Sequence, residues 1–214
     1  MSGRAIDIVA EISASYSTVV RYSDCGTTRF GVSDEFDDAR MMSSFETRFV
    51  LGAEFEFAAR HDSLEPAETI EFGYAMECKI RLDSQGLSAS GYTSYCSDKT
   101  RTRFDRFRGR TAPRRLQDAL LDVADDTSGA SCLIPRLLLP TEIHGRSILD
   151  LDNLRDHPDV AISNTECHHI SGQQGSISVD LWVATRNKSI IQIRRTTLIR
   201  EVFTFVELHP SIGR

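Results

Sequence analysis

Residues 70–82 read IEFGYAMECKIRL, with apolar and polar positions in alternation. Ile70, Phe72, Tyr74, Met76, Cys78, Ile80 and Leu82 fall on one side, and Glu71, Gly73, Ala75, Glu77, Lys79 and Arg81 on the other. Successive side chains of a strand point to opposite faces, so the pattern predicts a half-buried strand. At ~3.3 Å per residue it would run roughly 40 Å, beyond the usual length of about five or six residues. A strand that long must curve, and it needs long neighbours to pair with. The expectation is a large, strongly curved antiparallel sheet with one apolar face.

The same reading places the other elements. Ile6, Val9, Ile12 and Tyr16 predict an amphipathic helix over 4–16, with that stripe toward the sheet. Residues 18–24, TVVRYSD, read as a strand that Gly26 breaks, continuing over 27–30 after a bulge or turn. Phe45, Thr47, Phe49 and Leu51 make one face of a strand interrupted at Gly52-Ala53, and Phe55 and Phe57 resume it. Residues 61–68 read as a polar loop. Asp83-Ser84-Gln85-Gly86 has turn chemistry, and 87–95 returns as the hairpin partner. Ser97-Asp98-Lys99 is another turn, and 101–107 a further strand. Pro113 opens a second helix over 113–123, with Leu116, Ala119, Leu120 and Val123 as its stripe. The run CLIPRLLL, carrying Pro135, reads as a buried connector that plugs one side of the sheet. A mostly polar linker then ends in a turn at LRDHPD. AISNTECHHISG, SISVDLWVAT, SIIQIRRTTL and IREVFTFVEL follow as a strand meander.

Composition bounds this picture. A chain of 214 residues, 40% hydrophobic and 26% charged, reads as one globular domain over 1–214. No run approaches the ~18 apolar residues of a membrane span. The start lacks the apolar run of about 7–15 residues of a secretory signal. The chain as written therefore reads as cytoplasmic, or periplasmic if a leader was trimmed or the start lies further upstream. Five scattered cysteines, with no CxxC pair, read as free thiols rather than a disulfide framework. Net charge −6 disfavours bulk nucleic acid. Residues 99–115 are the exception, with eight basic residues against the single acid Asp105. The acidic run SDEFDDAR lacks the alternating ligands and central Gly of a calcium loop.

The order of parts resembles the lipoprotein-carrier (LolA/LolB-like) fold and bacterial proteins that share its layout. The residues that carry the likeness are RYSDCGTT near the start, IPRLLLPTEIHGRSILDL in the middle, ECHHISG with DLWVATRNKSIIQIRR, and the closing TFVELHPSI. The resemblance implies an N-terminal helix, an incomplete barrel and a helical lid inserted between strand groups. It implies an apolar cavity but carries over no individual ligand residue.

Candidate chemistry is sparse. No nucleophile elbow, P-loop, dinucleotide fingerprint or H-E-x-x-H occurs. Cys167 and His169 share a face of one strand, but a zinc site needs further ligands that no spacing suggests, so no metal, cofactor or catalytic residue is assigned. Phe55, Phe57, Phe72, Tyr74, Met76 and Trp182 are either core or the wall of a pocket for an apolar or amphipathic ligand. Arg101, Arg103, Arg106 and Arg108, interleaved with Phe104 and Phe107, are candidate contacts for an anionic lipid or an acidic partner, ahead of nucleic acid. The leading expectation is a non-enzymatic binding protein. The alternatives are an enzyme of small-molecule metabolism in the same cavity, or an anion-binding or nucleic-acid module through 99–115.

Overall fold

The computed structural model describes residues 3–31, 41–62, 72–97, 100–107, 113, 115–197 and 202–213. The side chains of Phe30, Met41, Met42, Asp62, Phe72, Gly73, Cys96, Ser97, Thr100 and Arg101 fall outside that description. So do the acidic run at 33–40, the loop at 63–68, Ile70 and Glu71, the turn residues Asp98 and Lys99, and Arg108, Arg110 and Arg114.

Helix α1 (Gly3–Ser17) comes first. Six strands follow: β1 (Arg21–Gly31), β2 (Met41–Val50), β3 (Glu54–Asp62), β4 (Phe72–Asp83), β5 (Gly86–Ser97) and β6 (Thr100–Asp105). Helices α2 (Leu116–Leu121) and α3 (Ala130–Leu138) are inserted before the second strand group. That group is β7 (Asp152–Ile162), β8 (Thr165–Gln174), β9 (Ile177–Ala184), β10 (Ile190–Thr197), β11 (Val202–Leu208) and β12 (Ser211–Gly213). All described pairings are antiparallel, in the order β6-β5-β4-β3-β2-β1-β11-β10-β9-β8-β7, with β12 also on β1. The fold is thus mainly β with minor α: a strongly curved sheet not closed into a barrel, with an N-terminal helix and an inserted helical lid. Strand β4 carries the alternation seen in the sequence, and with β5 it is the longest described, at 12 residues.

Register partners share a face, so the pairings trace the inner surface row by row. One row reads Tyr22, Phe49, Phe55, Leu82, Leu87. The next reads Asp24, Thr47, Phe57, Ile80, Ala89. A third reads Leu208, Gly26, Phe45, Ala59, Cys78, Gly91. A fourth crosses the sheet from Ile170, Leu181, Ile193 and Val206 through Thr28, Ser43, His61 and Met76 to Thr93. Nearly all of these side chains are buried against α1, α2, α3 and the segment 139–148.

Several expectations need correction. Strand β1 begins at Arg21 and runs through Gly26 without a break. A Cβ at Gly26 would clash with the Phe45 ring and lie 2.5 Å from the Glu207 carbonyl oxygen, so only a glycine leaves the ring room there. Leu51 sits in the β2–β3 turn, 62% exposed. The buried stripe of α1 is Ala5, Ile8, Ile12 and Tyr16; Ile6 is exposed, because packing chose the neighbouring stripe. Residues 61 and 62 end β3 rather than starting a loop. The second helix is only Leu116–Leu121, although Leu116, Ala119, Leu120 and Val123 are all buried as expected. The 132–139 run is largely helix α3, with Pro135 inside it. A proline there removes one internal hydrogen bond, a cost that burying Cys132, Ile134, Pro135 and Leu138 offsets. LRDHPD is not a turn: it lies in β7, an edge strand with register shifts on both sides of the Arg155–His157 pairings. An edge strand tolerates Pro158 at such an irregularity, since no ladder donor is lost.

Candidate ligand site between sheet and lid

Sequence places a band of phenylalanines on β2 and β3; the fold sets the lid over them. Phe55, Phe57 and Met76 are buried in one core with Leu120, Ile134 and Leu138 of the lid helices. The concave face is therefore filled by the protein's own helices. Access exists at one rim, where the β2–β3 turn, the β4–β5 turn and the end of the lid enclose a cleft of about 520 Å³. Its apolar lining includes Phe49, Phe55, Leu82 and Leu139, and Glu54, Asp83 and Glu142 contribute acids. Of the residues singled out in the sequence, Phe55 lines this cleft, while Phe57 and Met76 lie under the lid. Tyr74 is half-buried. Trp182 is on the opposite face, because Leu181 and Val183 are the fully buried residues of β9 and parity turns the tryptophan away.

The lid is tied down by polar contacts in the turn between α2 and α3. The Asp126 carboxylate pairs with Arg106 at 2.6 Å and accepts a hydrogen bond from the Tyr74 hydroxyl. Arg106 also donates to the Asp122 carbonyl and to Thr93 Oγ1. Burial, with the Asp126 carboxylate next, pushes the Tyr74 hydroxyl up to about 12. Ser43 Oγ donates to the Asp126 carbonyl at 2.6 Å and lies 2.9 Å from His61 Nδ1. A serine–histidine contact can be a nucleophile and its base. Here the serine's one proton goes to a backbone carbonyl, so His61 Nδ1–H donates to Ser43, opposite to the sense a nucleophile needs. Both residues are almost fully buried, and together they tether the lid.

Asp24 lies 6% exposed on the inner face. It accepts from the Tyr22 hydroxyl at 2.8 Å and from the Thr47 N–H at 2.9 Å. Burial outweighs these two bonds and raises its carboxyl to about 6. Arg195, from β10, sits with its guanidinium near Gly129 of the lid, and desolvation lowers its pKa. Among the described residues no acid forms an ion pair with it.

The basic segment divides. Arg106 and the buried Phe107 are built into the lid contact. Arg103 is exposed, its guanidinium 3.6 Å from the Tyr92 ring centroid, and Phe104 is exposed beside Tyr95. The guanidinium groups of Arg101 and Arg108 lie outside the described residues. Cys25, Cys78, Cys132 and Cys167 are free thiols, and among them only Cys25 is exposed. Among the described residues no helix is long and apolar enough to cross a membrane.

Sequence reasoning missed Leu139, Asp126 and Arg195. Nothing local in the sequence marks Asp126 as the lid's anchor.

No protein-family model and no curated protein matches the chain. Solved structures do. One is the MucA/MucB complex of Pseudomonas aeruginosa, at 8% identity and TM-score 0.41, covering 99% of this chain and 59% of that one. A second is LprF from Mycobacterium bovis, at 9% identity and TM-score 0.42, covering 99% and 94%. A third is a DUF1329 family protein from Desulfovibrio piger, at 9% identity and TM-score 0.28, covering 98% and 92%. This chain spans less than two thirds of the MucB-complex chain it matches. Superpositions this loose carry no weight for function, and the fold class stands on the sheet order itself.

Proposed function

We propose that this protein is a non-enzymatic binding protein that takes an apolar or amphipathic molecule, of acyl-chain type, between the curved sheet and the lid. The observation that carries the reading is the rim cleft. Its phenylalanine floor is continuous with the core under the lid, so an apolar chain that enters can displace lid side chains without leaving apolar surroundings. The volume, about 520 Å³, suits a drug-sized or acyl-sized guest. The reading goes with the periplasmic alternative, because an acyl carrier is needed where a chain must cross water between two membranes.

The test uses the full chain. Gentle purification and native mass spectrometry look for a retained lipid, and a fluorescent fatty acid is titrated into delipidated protein. Saturable binding should fall at least tenfold in Leu139→Lys, which puts a charge on the cleft wall while leaving the sheet folded. Affinity that is absent in the wild type, or unchanged in a folded Leu139→Lys variant, overturns the proposal.

A further inference from the structure

On the sheet face turned away from the lid, three neighbouring strands bring two imidazoles and a carboxylate together. His157 of β7 and His169 of β8 are register partners, and their rings stack with centroids 4.3 Å apart. His169 Nε2 lies 3.0 Å from Oδ1 of Asp180 on β9. One ligand atom from each of the three lies within 4.8 Å of the others. We propose that His157, His169 and Asp180 form a binding site for a borderline divalent cation of the zinc, copper and nickel class, with water completing its coordination.

The donor set fits that class. Two imidazoles and a carboxylate suit zinc and its neighbours, whereas magnesium and calcium prefer oxygen alone. Zinc bonds of about 2.0–2.1 Å place tetrahedral ligand atoms roughly 3.4 Å apart, so side-chain rotation must close the present spread by about 1.4 Å at most. All three residues are half-buried, which leaves room for that rotation and for water. The rings are also oriented by their neighbours, as metal-binding imidazoles usually are. Ser171 Oγ holds His157 Nε2 at 2.7 Å. Trp182 stacks on His169 at 4.6 Å and 10°. Arg194, the register partner of Asp180, has its guanidinium over the Phe203 ring, 5.8 Å from the centroid. The sequence pattern offers Cys167 as the partner of His169, but that thiol is fully buried, with its Sγ on the Thr165 carbonyl. The ligands come instead from adjacent strands, which spacing along the chain does not reveal.

The site is independent of the lid and of the ligand proposed there, so the two tests can fail separately. Trp182 is the chain's single tryptophan, and it touches a ligand ring, so bound Cu²⁺ or Ni²⁺ should quench its fluorescence. Metal-stripped full chain is titrated with Ni²⁺ by fluorescence and with Zn²⁺ by calorimetry. The expected result is one saturable equivalent, with Zn²⁺ competing Ni²⁺ off. His157→Gln and His169→Gln should each weaken Zn²⁺ binding at least tenfold, and His168→Gln, on the other face, should not. Asp180→Asn, which keeps the side-chain shape, should weaken it severalfold and serves if a histidine variant fails to fold. Melting curves of the metal-free variants check folding. No saturable binding, or full binding in a folded His157→Gln/His169→Gln double variant, overturns the proposal.

Discussion

Asp24→Asn isolates the consequence of burying a carboxylate on the inner face of the sheet. The carboxyl of Asp24 is raised from 3.8 to about 6, chiefly by desolvation. The folded state then holds the Asp24 proton more tightly than the unfolded chain does. Stability from this group is full below the unfolded pKa, near 4. It is lost as pH rises toward 6 and stays low above that. At about 1.4 kcal/mol per pH unit, the loss is about 3 kcal/mol. The substituted amide carries no titrating proton. Its oxygen can still accept from the Thr47 N–H, and its NH₂ can donate to the Tyr22 hydroxyl. Relative to the wild type, the variant should therefore gain about 3 kcal/mol between pH 3 and pH 7.5, all other groups cancelling in the difference. Urea denaturation of both proteins across that range measures it. A wild type–variant difference that does not change with pH would refute the claim that desolvation dominates at Asp24.

Gly26→Ala should destabilise the protein by roughly 2 kcal/mol or more, since its Cβ would meet Phe45 and the Glu207 carbonyl well inside contact distance. Gly3→Ala, with nothing within 4 Å, is the control, and thermal melts compare the two. In native protein Cys25 should react with a thiol reagent at neutral pH. Cys78, buried and with its thiol raised to about 11, should react only on unfolding, as mass spectrometry of labelled peptides will report. Met76→Asp should cost several kcal/mol in a chemical melt, because it leaves an unpaired charge in the core.

The strands were legible wherever one face is apolar and the other polar, as on β4, where Met76, Cys78 and Ile80 alternate with Glu77 and Lys79. Legibility failed where both faces carry apolar residues. In β9, Leu181, Trp182 and Val183 are consecutive, and size alone wrongly favoured Trp182 for the interior. It also failed where local chemistry and tertiary packing disagree. Pro135 and Pro158 read as breaks, yet one sits in a buried helix and the other in an edge strand, where the missing N–H matters little. Site residues supplied by different elements, such as His157 with Asp180, or Asp126 with Tyr74, become neighbours only through register and packing.

The most direct test of the lid–sheet site is to loosen the lid and follow ligand affinity. Asp126→Asn removes the charge that holds Arg106 while keeping an acceptor for Tyr74. If a ligand must displace the lid, apparent affinity is reduced by the fraction of protein that is open, and raising that fraction tightens binding. Stability should fall by about 1–3 kcal/mol while the fluorescent fatty acid binds severalfold more tightly. An affinity that is unchanged or weaker in the folded Asp126→Asn variant would contradict a ligand site beneath the lid.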